Sequence, residues 1–337
     1  MSITITAPLD MHLHLRDKEM LSTVAPLSSH SFAGAIIMPN LVPPLSTKEE
    51  LLAYKKRIKE ASQDDTFTPY MTLFFKPTYT KEFLKSIQNK LTAIKLYPAG
   101  ITTNSEGGVS GFNVEELRPA LEAMSELGIP LCIHGETNGF VMDREAEFVS
   151  IYEMLASNFP KLTIIMEHIT TKESVEVLEK FDNLYATITL HHLLITLDDV
   201  AGGMLNPHLF CKPIAKRPED RDALRRVALS GHPKVMFGSD SAPHPQHAKE
   251  SCGCAAGVFT APIALQVLTE MFLKNSTIEK LQDFVSNNAQ KIYKNINVPN
   301  KVVTLEKKSF IVPDKYDTVV PMYAGETLQY TITKIEG

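Results

Sequence analysis

Two histidines one residue apart are the first residues in this 337-residue chain that could do chemistry. In Met11-His12-Leu13-His14-Leu15-Arg16-Asp17, an extended backbone would alternate its side chains with period two. His12 and His14 then share one face, and Met11, Leu13 and Leu15 the other. Two neutral imidazoles a strand repeat apart can hold one divalent cation, with zinc the expected guest at ~2.0–2.1 Å from imidazole nitrogen. An isolated His-x-His is more simply a polar pair on a solvated strand, so partners elsewhere must decide. Candidates are Lys95, His134, His168 and Asp240, each at the end of a short apolar run. Singly, each has a plain explanation: a snorkelling lysine, a hydrogen-bonded core histidine, a helix-capping aspartate.

The elements that must position these residues repeat in one rhythm. After the His12 strand come apolar runs at Gly34–Asn40, Thr68–Phe75, Leu91–Pro98, Ile129–His134, Leu162–His168, Leu184–Leu190 and Lys234–Asp240. Between them lie helical patterns. Thr47 and Glu50 have capping-box spacing ahead of a stripe of Leu51, Leu52, Tyr54 and Ile58, and Lys81–Asn89 reads as a short helix. A helix over 114–127 is capped by Asn113 and closed by Gly128. Eight buried strands alternating with helices imply parallel pairing and a closed (β/α)8 TIM barrel, whose chemistry sits at the C-terminal ends of the strands. Residues from about 301 to 337 break the rhythm. Ser309–Val312 and Thr327–Ile332 read as short strands outside the barrel, packing on it or on an N-terminal strand at Ile3–Thr6. The chain is therefore expected to be a single domain over 1–337 with a small C-terminal appendage.

Composition narrows the function. Apolar residues make up 44% and charged residues 22%, and the formal net charge is −5, with no lysine or arginine run. That argues against a nucleic-acid partner and for a small-molecule substrate. No apolar run approaches the ~18–20 residues of a membrane span, and Met1–Thr6 lacks the pattern of a signal peptide, so a cytoplasmic protein without membrane contact is expected. Four scattered cysteines do not make a disulfide framework, and Cys252-Gly253-Cys254, without a second pair, reads as a loop with two reduced thiols.

On a barrel, His12, His14, Lys95, His134, His168 and Asp240 converge on one rim. Four histidines and one aspartate hold two zinc ions only if something bridges them, and a lysine ammonium would be repelled. Lys95 therefore either donates a hydrogen bond from behind the ligands or is modified. Carbon dioxide added to its neutral amine gives a carbamate, a bidentate anionic ligand.

The runs His12–Asp17, Met38-Pro39-Asn40, Lys95–Ala99, His134-Gly135-Glu136, Glu167–Thr171 and Gly238–His244 resemble the amidohydrolase superfamily. Within it, Lys95–Ala99 and Lys249–Ala255 are similar to the short, single-domain bacterial class (class II) of dihydroorotase, and the resemblance covers nearly the whole chain. It implies that His12, His14 and Asp240 bind one zinc and His134 and His168 a second, both bridged by N6-carboxylated Lys95 and a hydroxide. The charge of such a site comes to roughly +1, suited to an anionic substrate. The implied reaction is reversible cyclisation of N-carbamoyl-L-aspartate to dihydroorotate in pyrimidine biosynthesis, with Asp240 as the proton shuttle and with pH setting the balance between directions. Substrate contacts are expected from Arg16, whose fork suits a carboxylate, from Asn40, His134 and His244, and from the Lys212 and Ala256 backbone. The chain carries one alanine more than the family pattern in Cys254-Ala255-Ala256-Gly257. A homodimer is implied as well.

The Gly-rich stretch Gly100–Gly111, directly after the Lys95 strand, is expected to be a mobile lid whose Thr102 and Thr103 touch substrate. His30, His191, His192, His208, His232 and His247 are left without roles, although His191 and His192 close the seventh strand and could touch the site. Two rivals stand. A hydantoinase or dihydropyrimidinase would share the metal ligands but have less use for Arg16 and Asn40. A catalytically inactive scaffold would be expected to have lost ligands, and here all six positions are filled.

Overall fold

Backbone pairing in the computed structural model, which describes residues 2–63 and 65–337, separates two sheets. Met1 of the N-terminal run lies outside the described residues. Strand β1 (Ser2–Thr6) belongs to the smaller sheet. The larger sheet contains β2 (Leu9–Leu13), β3 (Gly34–Ile37), β4 (Thr68–Phe74), β5 (Ala93–Leu96), β6 (Leu131–Ile133), β7 (Ile164–Met166), β8 (Leu184–Ile188) and β9 (Val235–Phe237). These pair in chain order, every pair parallel. The ring closes where the Asp240 N–H donates to His12 C=O at 2.8 Å and the His14 N–H donates to Ser241 C=O at 3.3 Å. The expected TIM barrel is the fold, and its closing seam runs through three of the candidate ligands. Gly238 stands at that seam, where a Cβ would lie 2.9 Å from both His12 Cβ and Thr187 Cβ, so only glycine lets the strands approach.

The strands end earlier than the apolar runs do. His14, His134, His168 and Asp240 all lie just past the last paired residue of their strands. Freed from the ladder, their backbones turn to aim side chains inward, with φ of +41° at His168 and +42° at Asp240. Strict alternation also fails once. Met11 packs with Leu9, Ile36, Ala93, Cys132, Ile165 and Met236 in one cluster, while Leu13 and Leu15 pack in the other, under the helices. A register shift between Asp10 and Leu13 in the β2–β3 pairing separates Met11 from the face it was expected to share.

Helix ends follow their sequence signals. Thr47 and Glu50 form the reciprocal capping box of helix Lys48–Ala61, which buries Leu51, Tyr54 and Ile58; Leu52, expected on that stripe, faces solvent. Asn113 Oδ1 accepts from the Glu115 N–H, and Gly128 closes helix Val114–Leu127 at φ +65°. The tail forms β10 (Val302–Ile311) and β11 (Thr327–Glu336), and β10 lies antiparallel between β1 and β11, so both chain ends share one sheet outside the barrel. No helix among the described residues is long and apolar enough to cross a membrane.

Glu145 fixes the chain immediately after His168. Its buried carboxylate accepts from the Thr170 and Thr171 N–H groups, from both threonine hydroxyls and from Ser174 Oγ. Glu145→Ala leaves two amides and three hydroxyls without this acceptor. It should lower unfolding free energy by about 3–5 kcal/mol in urea melts, with Glu145→Gln, which keeps one acceptor oxygen, losing less.

Candidate active site

The side chains singled out in the sequence meet at the C-terminal end of the barrel. Asp240 Oδ1 lies 3.0 Å from His14 Nε2 and 3.4 Å from His12 Nε2. These three donor atoms sit close enough to hold one ion. His134 Nδ1 and His168 Nε2 are 3.1 Å apart and form a second donor pair. The ring centroids of His12 and His168 are 4.8 Å apart and those of His134 and His168 4.7 Å, so the two groups adjoin. All five residues are buried.

Lys95, on β5, is completely buried, and its Nζ has no hydrogen-bond partner. Burial lowers its pKa despite the opposing pull of Glu167 and Asp240, which favours the neutral amine. The Nδ1 of His168 is likewise buried and unpartnered. Two orphaned donor atoms in one polar cluster, beside convergent imidazoles and a carboxylate, fit a site built around cations rather than a self-sufficient hydrogen-bond network.

Outer partners set the tautomers. Glu167 Oε2 lies 2.7 Å from His12 Nδ1 and accepts from Thr187 Oγ1 at 2.6 Å, leaving His12 Nε2 to face Asp240. Glu136 Oε2 lies 2.7 Å from His134 Nε2, leaving Nδ1 to face His168. Carboxylates that hold the far nitrogen of an imidazole orient ligand histidines and raise their basicity. Burial opposes the charge of Glu167, but His12 and Lys95 outweigh it, with help from the His12 and Thr187 hydrogen bonds, and hold the carboxyl at about 2. Burial also lowers the pKa of His12, and lowers those of His14 and His168 strongly, which favours the neutral form that a ligand histidine needs. Asp10 braces the seam from below, accepting from the Ser239 N–H at 2.7 Å and from the His12 N–H at 3.2 Å. Glu136, Glu167, Thr187 and Asp10 were given no role from the sequence. The first two had a readable signal, since Glu136 stands two residues past His134 and Glu167 immediately before His168. Nothing local marked the others.

A second group lies at the rim. Arg16, at φ +56°, donates through Nε to Pro243 C=O at 3.1 Å and through its terminal nitrogen to His244 Nε2 at 2.9 Å. Its sequence neighbour Asp17 pairs with Arg57. Arg16 arrives here beyond the end of β2, through its left-handed backbone rather than by strand alternation. Ala256 C=O lies 3.0 Å from His244 Nε2, which brings Ala256 rather than Ala255 into this group. Burial, and then Arg16, push the His244 pKa down to about 3, so its ring is neutral. Asn40 Nδ2 donates to Thr103 C=O, and Asn104 Nδ2 donates back to Asn40 C=O, both at 3.0 Å. The Gly-rich loop is thus docked on the rim, and it is internally tied by a hydrogen bond from Thr102 N to Ser105 Oγ. Lys212 is half-buried between Cys211 and Pro213. A surface groove of 880 Å³ lies elsewhere, between helix Ala264–Lys274 and β11, and has no histidine in its wall.

With this geometry in view, likeness to other proteins is informative. Residues 5–295 match the amidohydrolase family. A dihydroorotase of Helicobacter hepaticus is 44% identical over 336 residues, covering 98% of each chain. The crystal structure of a Campylobacter jejuni dihydroorotase superposes with a TM-score of 0.94 at 59% identity, covering 99% of this chain and 98% of that one. This chain belongs to the amidohydrolase family, among its dihydroorotases. The Saccharomyces cerevisiae dihydroorotase, solved in complex with 5-fluoroorotic acid, shares the fold at TM-score 0.91 and 32% identity, covering 98% of each chain.

The His12–Glu167 pair gives dihydroorotase stability a defined acid limb. The folded pKa of Glu167 lies below its ordinary value of 4.5, so its contribution is complete above about 4.5 and is lost as pH falls toward 2. The shift corresponds to about 3 kcal/mol. Urea melts of chelator-treated protein from pH 6 to about 2.5 should show that loss in the wild type and a much flatter profile in Glu167→Gln.

Proposed function

We propose that this dihydroorotase-family chain interconverts N-carbamoyl-L-aspartate and dihydroorotate using two zinc ions held at the barrel rim. The carrying observation is the buried, unpartnered amine of Lys95 among four imidazoles and Asp240. The residues fit the ions. His12, His14 and Asp240 would hold one, His134 and His168 the other, and Lys95 would bridge both after its neutral amine adds carbon dioxide and releases a proton. Bound there, the cations would supply Lewis acidity, lowering the pKa of water and polarising a carbonyl.

The chain's own groups do the rest. Arg16, Asn40 and His244 hold the substrate carboxylate, with His134 and the Lys212 and Ala256 backbone completing the pocket. Thr102 and Thr103 reach the substrate from the docked loop, which excludes water. In hydrolysis Asp240 takes the proton of the attacking water and passes it to the departing amide nitrogen as the ring C–N bond breaks; cyclisation runs the same transfers in reverse. The yeast relative was solved with 5-fluoroorotic acid, a carboxylated pyrimidine, and this site is read as taking the carboxylated ring of dihydroorotate. The Arg16–His244–Asn40 group supports this over a hydantoinase, and the six filled positions support an enzyme over an inactive scaffold. The same reading makes the protein a cytoplasmic homodimer acting on a small molecule in pyrimidine biosynthesis.

Spectrophotometric assay of dihydroorotate hydrolysis should show Asp240→Ala slowed about 10²–10⁴-fold, and comparable turnover would overturn the mechanism. Metal analysis should find at least two zinc equivalents per chain, with activity lost on chelation and regained with zinc. Arg16→Lys should raise KM for dihydroorotate at least about tenfold while changing kcat less, because a point charge cannot replace the bidentate fork.

A further inference from the structure

A second cluster with ligand chemistry lies beside the rim. His191 and His192 sit in the short helix Leu190–Leu194 that follows β8, and Cys211 lies in the segment leading to Pro213. All three are buried, and one donor atom from each lies within 4.8 Å of the others. His192 and Cys211 are already drawn together. His192 Nε2 is 3.5 Å from Cys211 Sγ, and both atoms approach Pro213 C=O, at 3.0 Å and 3.2 Å. Thr189 Oγ1 lies 2.8 Å from His192 Nδ1, so the far side of that ring is held.

His191 is the anomaly. It is 0% exposed, its ring lies 4.3 Å from that of His192, and neither of its nitrogens has a hydrogen-bond partner. A neutral imidazole needs one donor and one acceptor satisfied, and each buried polar atom left alone costs about 1–3 kcal/mol. Packing does not explain a histidine where leucine would fill the space without that cost.

We propose that His191, His192 and Cys211 form a third metal site for one borderline-soft divalent ion such as zinc, with Pro213 C=O as the nearest fourth donor. Two imidazoles and a thiolate are a zinc-type ligand set, and its sulfur separates it from the nitrogen and oxygen donors of the rim. Binding replaces the Cys211 S–H bond by a sulfur–metal bond and sends the proton to solvent. The proton on His192 Nε2 shifts to Nδ1, where Thr189 Oγ1 accepts it. One nitrogen of His191 gains a partner. Asp240 and Glu136 contribute negative potential at Cys211, which favours a cation, while Lys216 and Lys249, the latter bound to the carbonyls of Phe210, Ala255 and Gly257, oppose it. The site closes the segment around Lys212, so an ion there would rigidify one wall of the substrate pocket. This inference does not depend on the two-zinc reading.

The test is cobalt(II) titration of chelator-treated full-length protein carrying Cys252→Ser and Cys254→Ser, which removes the exposed thiols. The expected result is a third equivalent accompanied by a near-ultraviolet thiolate-to-cobalt band. Cys211→Ser should abolish that band, and His191→Gln should weaken the third equivalent by about 10–100-fold. In both variants the visible absorption of the first two equivalents should persist. Saturation without the band, or a band surviving Cys211→Ser, overturns the proposal. Should neither variant melt cooperatively, zinc X-ray absorption on the background protein at three equivalents decides. A sulfur shell at ~2.3 Å supports the site, and nitrogen and oxygen shells alone refute it. Loss of the first two equivalents with the sulfur band retained would sink the two-zinc reading and leave this one standing.

Discussion

A completely buried lysine with no acceptor for its ammonium is the constraint from which the rest of the site follows. An uncompensated charge at that depth would cost several kcal/mol, so Lys95 must be neutral, paired or converted to something else. Glu167 is the nearest fixed answer in the protein, a carboxylate held ionised by His12 and Lys95 against its own burial. Yet Glu167 Oε2 is already committed to His12 and Thr187, and its Oε1 has no partner. The cluster therefore carries unused donors and acceptors together. The cations and modified lysine proposed above would resolve both halves at once.

Placing so many polar groups at one rim requires backbone that a regular strand does not supply. Arg16, His168 and Asp240 all adopt left-handed conformations, which cost of order 1–3 kcal/mol each for residues with a side chain. The barrel holds them there. Asp240 is tied to His12 C=O, the His168 N–H donates to Thr187 Oγ1 at 2.7 Å, and Tyr54 OH donates to Arg16 C=O at 2.5 Å. Each strained residue thus has its backbone clamped by a neighbouring strand or helix, and the strain turns a side chain from the strand direction toward the common centre.

Much of this was legible in the sequence because it depends on local signals. Eight apolar runs separated by helix caps specify a parallel barrel, and a polar residue at the end of such a run has nowhere to be but the rim. The same logic failed where geometry is not local. Met11 was assigned to the wrong face because a register shift in the first strand pair leaves no mark in composition. Arg16 lies past the end of regular pairing at Leu13, and its positive φ sets its course to His244, a feature that leaves no mark in the sequence pattern. Thr187 and Asp10 left no readable signal because Glu167, His168 and Ser239, which they bind, stand just past the ends of other strands, and a threonine in a β-rich run is already explained by propensity. Leu52 shows the opposite error, an apolar residue counted into a stripe whose fourth member solvent takes.

Asn40 ties the loop to the pocket. Its side-chain amide carries two N–H groups, one of which donates to Thr103 C=O, and the amide acts against burial to raise the His14 pKa. Its backbone carbonyl accepts from Asn104. A residue read as part of the carboxylate clamp therefore also latches the loop that carries Thr102 and Thr103. If a substrate carboxylate recruits this amide, it competes with or reorients the contact to Thr103, so substrate binding and loop position share one hydrogen-bond inventory. The glycines that give the loop its freedom sit beside a fixed point: a Cβ on Gly108 would meet Tyr97 C=O at 2.3 Å, which pins the returning arm against the strand bearing Lys95. The tip between Gly100 and Gly108 is held by the Asn40–Thr103 and Asn104–Asn40 hydrogen bonds and by Gly100 N–H to Ser105 C=O. On the reading proposed above, the asparagine that docks this tip is also the one that would meet the substrate's charge.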